Sequence, residues 1–188
     1  MRKNISVLVL ILMSTMFAFS QTKSAAALEK HLKSLKADKV FALKYDANSD
    51  NSKLYGFGAD FGKDQDKRNN VESLRFGMAF NFAGRNLKAA PDEYLLTFQA
   101  GTKKTKFAER HDLKFTIDGA ILDLGAARYA NKNEGIEYLN FKLNREQLGK
   151  LAKGKELSLK IGDAEFTLGA EQRKMFADLF ALSDPSQI

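Results

Sequence analysis

The sequence predicts an α+β protein. Its main body is an antiparallel β-sheet of seven to nine strands, arranged as a sandwich or a partly open barrel, with three helices. Three observations lead there. Short runs of alternating apolar and polar residues recur between polar turns, the signature of half-buried strands joined locally. Two of those turns, Asp118-Gly119 and Gly162-Asp163, have the composition of two-residue hairpin loops. Apolar residues at helical spacing mark the start of the mature chain, a short segment near 145–153 and the C-terminus, so helices pack on the sheet.

The chain opens with Arg2 and Lys3, an apolar run from Val7 to Met13, and Ala18-Phe19-Ser20. Basic, apolar and small residues in that order are what a secretory signal peptide requires, with cleavage before Gln21. The apolar run is shorter than the roughly 20 residues that cross a bilayer, so no stable transmembrane anchor is expected. Residues 1–20 are therefore read as a signal peptide and 21–188 as a single exported domain, periplasmic or extracellular.

A first helix spans Ser24–Ala37, with Leu28, Leu32 and Leu35 on one stripe. Strands follow at Lys39–Tyr45 and Lys53–Phe61, separated by the polar turn 46–52, and a loop is expected over 62–70. The clearest alternation is Glu72–Phe82: Leu74, Phe76, Met78, Phe80 and Phe82 share one face, while Ser73, Arg75, Gly77, Ala79 and Asn81 share the other. Glu93–Ala100 is the next strand, followed by the polar turn 101–106. The hairpins Leu113–Ile117/Ala120–Leu124 and Leu157–Ile161/Ala164–Leu168 flank a strand at Ile136–Leu143. After that strand, Asn144 with Gln147 three residues on reads as a helix cap, and Lys153-Gly154 as its stop. The last helix, Ala170–Leu182, carries Met175, Phe176, Leu179 and Phe180 as its buried stripe and ends before Pro185.

Composition narrows the chemistry. The 188 residues hold 30 Lys+Arg, 23 Asp+Glu, 2 His and no Cys or Trp. Without Cys there are no disulfides, thiolate zinc sites or cysteine nucleophiles. Removing the signal peptide leaves 28 basic against 23 acidic side chains, a net charge of +5. In an exported protein that balance is read first as a general solubility charge; the anions it could otherwise meet are lipid head groups, acidic polysaccharide or an acidic protein, and not nucleic acid.

Candidate sites are few. Asp46, Asn48 and Asp50 have the spacing that opens a calcium loop, but Asn51 stands where the bend needs Gly and Phe57 where a bidentate Glu would close the site. Glu109 and His111 would share a face if this stretch is extended but need a further ligand from elsewhere, so no metal site and no cofactor is assigned. Gly56, Gly58, Gly62 and Gly77 lack the helix and the Lys-Ser/Thr of a phosphate cradle, and are read as relieving crowding. Catalytic strings such as Gly-x-Ser-x-Gly or His-Glu-x-x-His do not occur.

The densest basic patch is Lys103, Lys104 and Lys106 with Arg110 nearby, and these four are the candidate ligand-binding residues. With 15 Phe and 5 Tyr, most rings should be core, and a carbohydrate-stacking platform is disfavoured. The expected function is that of an exported, soluble, non-enzymatic binding or accessory protein whose partner is another protein or an anionic surface ligand. Two alternatives are a small outer-membrane β-barrel, and a hydrolase with carboxylates gathered from distant loops.

Overall fold

A computed structural model describes residues 27–133 and 135–187. The segment 1–20 expected to be a signal peptide, and residues 24–26 of the expected first helix, lie outside the described residues. Among the described residues ten strands form two sheets, both antiparallel throughout. The larger has the order β1(Phe41–Asp46), β2(Asn51–Asp60), β3(Ser73–Ala83), β4(Tyr94–Gly101), β8(Ile136–Leu143), β7(Arg128–Asn133). The smaller has the order β10(Ala164–Thr167), β9(Leu157–Ile161), β5(Asp112–Ile117), β6(Ala120–Ala126). Four helices complete the fold: α1 over 27–34, α2(Lys63–Arg68), α3(Arg145–Lys153) and α4(Ala170–Leu182).

The fold class follows the sequence expectation, with one strand and one helix added. The tenth strand, β7, reads RYANKN, with one large apolar residue and no alternation to reveal it. Helix α2 replaces the expected loop. Six polar residues leave no apolar stripe, and the segment is held as a helix by bonds that sequence periodicity does not register.

Those bonds close an edge of the smaller sheet. Gln65 Nε2 donates to Thr167 O at 3.1 Å, and Thr167 N donates to Gln65 Oε1 at 2.7 Å. One helical turn on, Asn69 Nδ2 donates to Glu165 O at 2.6 Å, and Glu165 N donates to Asn69 Oδ1 at 2.8 Å. Two side-chain amides thus stand in for the strand that β10 lacks. The opposite edge, β6, bends at a bulge beside Gly125, whose φ is +71°.

Turn and cap chemistry behave as read. Asp118 and Gly119 both have positive φ, and the Asp118 carboxylate accepts hydrogen bonds from Lys155 N and Glu156 N. These amides, Glu156's first, hold its pKa below the ordinary carboxylate value. In the cap of α3, Gln147 N donates to Asn144 Oδ1 at 2.8 Å and Asn144 N donates to Gln147 Oε1 at 2.9 Å. In the turn whose spacing only opens like a calcium loop, Asp46 accepts from Asn48 N and Ser49 Oγ, so the turn itself engages its carboxylate.

The core lies between the sheets, and aromatic rings join its parts. Phe176 of α4 stacks on Phe76 of the larger sheet, with centroids 5.4 Å apart and planes at 15°. Its other contact is edge-on to Phe115 of the smaller sheet, at 5.9 Å. Phe76 continues to Phe98 at 6.0 Å, and Phe98 to Phe141 at 6.1 Å, which carries the chain of rings across β3, β4 and β8. Leu28 and Leu32 of α1 join the same cluster. A polar knot fixes the end of α4: Tyr94 Oη donates to Ser183 Oγ at 3.0 Å, and Arg145 Nη1 donates to the same oxygen at 3.0 Å.

Two outcomes are expected. Phe176→Ala opens a void at the joint between the sheets and costs about 3–5 kcal/mol, read as a lower urea midpoint. Gln65→Ala and Asn69→Ala each leave one β10 residue's N–H and C=O without protein partners. Each costs about 1–2 kcal/mol and removes hydrogen-exchange protection at the Thr167 or Glu165 amide, respectively.

Candidate functional site

The loop between β4 and β5 carries the predicted lysines, and a buried carboxylate shapes it. Glu137 points from β8 into the core and is only 1% exposed. It accepts hydrogen bonds from Thr102 Oγ1 (2.9 Å), Lys106 N (3.0 Å), Phe107 N (2.9 Å) and Tyr129 Oη (3.1 Å). A carboxylate can be buried when its lone pairs are taken up in this way. Burial first, and then the bond to Glu137, raise the Tyr129 pKa above its ordinary value. Because both ends of the segment 102–107 are tied to Glu137, Lys103, Lys104 and Thr105 project outward between fixed points.

Helix α2 faces this loop. Its residues divide by helical spacing: Gln65 and Asn69 turn to β10, while Lys63 and Lys67, also four apart, turn to the loop. The result is a groove of about 830 Å³ lined by Lys63, Lys67, Lys103, Lys104 and Lys106, with Asp66, Glu72 and Val71 among its other lining residues. None of the five lysines makes an ion pair among the described residues, whereas eight ion pairs engage basic side chains elsewhere. Five ammonium groups against two carboxyls give the groove an excess of positive charge.

Asp66 is the anomaly in it. The residue is 4% exposed, and its Oδ1 has no hydrogen-bond partner. Burial pushes its pKa above 3.8; the Leu74 backbone N–H pulls the other way, and the charge of Asp60 adds to the rise.

Lys103, Lys104 and Lys106 thus come together, but Arg110 does not join them. Its Nη1 pairs with Asp163 Oδ2 at 2.6 Å beside the β9–β10 turn, and with Lys106 it lines a separate, neighbouring concavity. Lys63 and Lys67 do not stand out in the sequence because their segment reads as a loop, and Asp66 reads only as part of a loose carboxylate cluster with Asp60 and Asp64; the four-residue lysine spacing is the signal available. His111 has a structural setting, with Nδ1 3.0 Å from Phe107 O and its ring stacked on Tyr129. Among the described residues, no three His, Cys, Asp or Glu side chains gather as metal ligands. A second concavity, of about 520 Å³ near Tyr45 and Arg85, has internal contacts within its lining: Arg85 lies 4.1 Å over the Tyr45 ring, and Tyr45 Oη donates to Asp50.

Compared with protein-family models, curated proteins and solved structures, the chain matches none of them.

Asp66 sets a pH expectation. Its folded pKa is raised, so its contribution to stability is complete below the unfolded value of 3.8 and is lost as pH rises through the folded value. Asp66→Asn, which does not ionise, is therefore expected to be more stable than the parent at pH 7. The difference should shrink as pH falls toward 3.8, measured by urea unfolding across that range.

Proposed function

We propose that the chain is an exported, water-soluble, non-enzymatic binding protein that holds an anionic group in the groove between α2 and the β4–β5 loop. The observation that carries this reading is the set of five unpaired lysines converging from two separate elements. Like charges brought together raise the energy of the empty protein, and an anion between them lowers it. Both elements are held from behind, the loop by Glu137 and the helix by Gln65 and Asn69, so the ammonium groups sit on a firm base.

Two further features support a binding role in water. The outward face of the smaller sheet carries charged rows, with Lys114 3.1 Å from Asp123 and Lys160 3.5 Å from Glu165. An outer-membrane barrel needs an apolar outward band there. Buried Glu137 is engaged by four donors and Asp178 by Lys174, so neither is poised as a free general acid or base. Among the described residues no helix is long and apolar enough to cross a membrane.

The test is calorimetric titration with inorganic tripolyphosphate at two salt concentrations. Salt-dependent binding that weakens at least tenfold in Lys103→Gln/Lys104→Gln/Lys106→Gln, and less than twofold in Arg110→Gln, is the expected result. Equal losses in the two variants would place the anion elsewhere. Release of the protein by osmotic shock, without detergent, tests the export and solubility part of the reading.

A further inference from the structure

We propose that the outward face of the six-stranded sheet is a second binding site, built for an acidic polysaccharide and independent of the lysine groove. Alternation along β2 puts Lys53, Tyr55 and Phe57 on that face, while Ser52, Leu54 and Gly56 turn inward. Tyr55 and Phe57 are 41% and 52% exposed, whereas Phe41, Phe76, Phe80, Tyr94, Phe98 and Phe141 of the same sheet supply the core. They stand two residues apart on one strand, ~7 Å along it.

The surface beneath them is pared down. Gly77 lies opposite Phe57 in register, and a Cβ added there would come 2.9 Å from Phe57 Cδ2 and 3.0 Å from Cε2. The ring therefore rests against bare backbone, leaving its other side to solvent. Ala79, opposite Tyr55, is 7% exposed and keeps the neighbouring floor equally low. Thr97 follows Gly77 in the same row, hydrogen-bonded to Asn140 at 2.8 Å. The combination is a flat aromatic surface with the hydroxyl of Thr97 and the amide of Asn140 farther along the row. A pyranose uses both, placing its C–H face on a ring and its hydroxyls on amides.

Charge selects the kind of sugar. Lys44 and Lys53 face each other directly across the β1–β2 pair, on the Tyr55 side of the platform. Like charges in that position weaken strand pairing. Neither lysine makes an ion pair among the described residues, and Lys53 Nζ lies 5.9 Å over the Tyr55 ring. Arg75 and Lys142, elsewhere on the same face, are already neutralised by Asp60 and Glu93. Lys44 has Asp46 two residues along its strand, and Arg128, in register with Asn140 on the far edge of the face, makes no ion pair among the described residues. Lys53 is the unpaired cation that adjoins the exposed rings, where a carboxylate on a stacked sugar would meet it. A polyphosphate would leave the rings unused, and a wholly apolar partner would leave the facing lysines unneutralised.

The experiment titrates the full chain with polygalacturonate, a carboxylated polysaccharide, with neutral dextran and tripolyphosphate as comparison probes. Polygalacturonate binding by the parent should weaken at least tenfold in Tyr55→Ala/Phe57→Ala and in Lys44→Gln/Lys53→Gln. Dextran should not bind, and tripolyphosphate affinity should change less than twofold in both variants. The lysine pair is fully outward, so it remains informative if the aromatic double variant does not fold. Absence of polygalacturonate binding, equal affinity for dextran, or a loss confined to the Lys103/Lys104/Lys106 variant would overturn the proposal. So would self-association in sedimentation that Phe57→Ala abolishes, which would assign the face to a second copy of the chain. Failure of tripolyphosphate binding alone bears on the groove and leaves the sheet face standing.

Discussion

Phe176 sits where two sheets that share no strand pairing are brought into one core. One side of its ring stacks on Phe76 and its edge contact reaches Phe115, so a single side chain of the last helix bridges both layers. Neither sheet can bury its apolar face alone, because each needs an opposing layer to exclude water. The C-terminal helix supplies that layer only when its end is fixed, and the knot of Tyr94, Ser183 and Arg145 fixes it. The order of rings from Phe141 to Phe115 is therefore a continuous apolar strut across the molecule, with side-chain packing doing what strand hydrogen bonds do within each sheet.

Elements driven by burial were readable in the sequence. The alternation around Leu74–Phe80, the leucine stripe of α1, the Asp118-Gly119 turn and the Asn144/Gln147 cap each depend on neighbours a few residues away, and each took the form its spacing implied. Helix α2 and strand β7 were not readable, for two different reasons. The partners of α2 lie far along the chain, about a hundred residues away in the case of Gln65 and Thr167, and polar side chains carry no period that announces a distant hydrogen bond. Strand β7 pairs with the adjacent β8, but its residues RYANKN show no apolar alternation. The aromatic composition was read as core. That holds for Phe76, Phe98 and Phe115 but not for Tyr55 and Phe57, whose outward phase depends on the register of β2.

The proposed groove shows the same division. Three of its lysines stand close in sequence and were identified together; the other two come from a helix that only the tertiary fold reveals. Arg110 was grouped with them by proximity along the chain, yet it turns to Asp163. Glu137 is the less visible partner in the arrangement. A lone acidic residue within an apolar alternation looks like an interruption, and here it organises the loop that displays the lysines. Buried charge at this point buys a defined loop conformation, at the cost of removing a carboxylate from water.

Helix α2 bears on two surfaces at once, its lysines on the groove and its amides on β10. Any motion that swung the helix outward to admit a bulky occupant would also unmask the backbone of Glu165 and Thr167. A naked strand margin is a template on which another polypeptide can polymerise. Occupants small enough to enter without prying the helix loose are thus compatible with a dispersed protein, while larger ones would invite fibril growth.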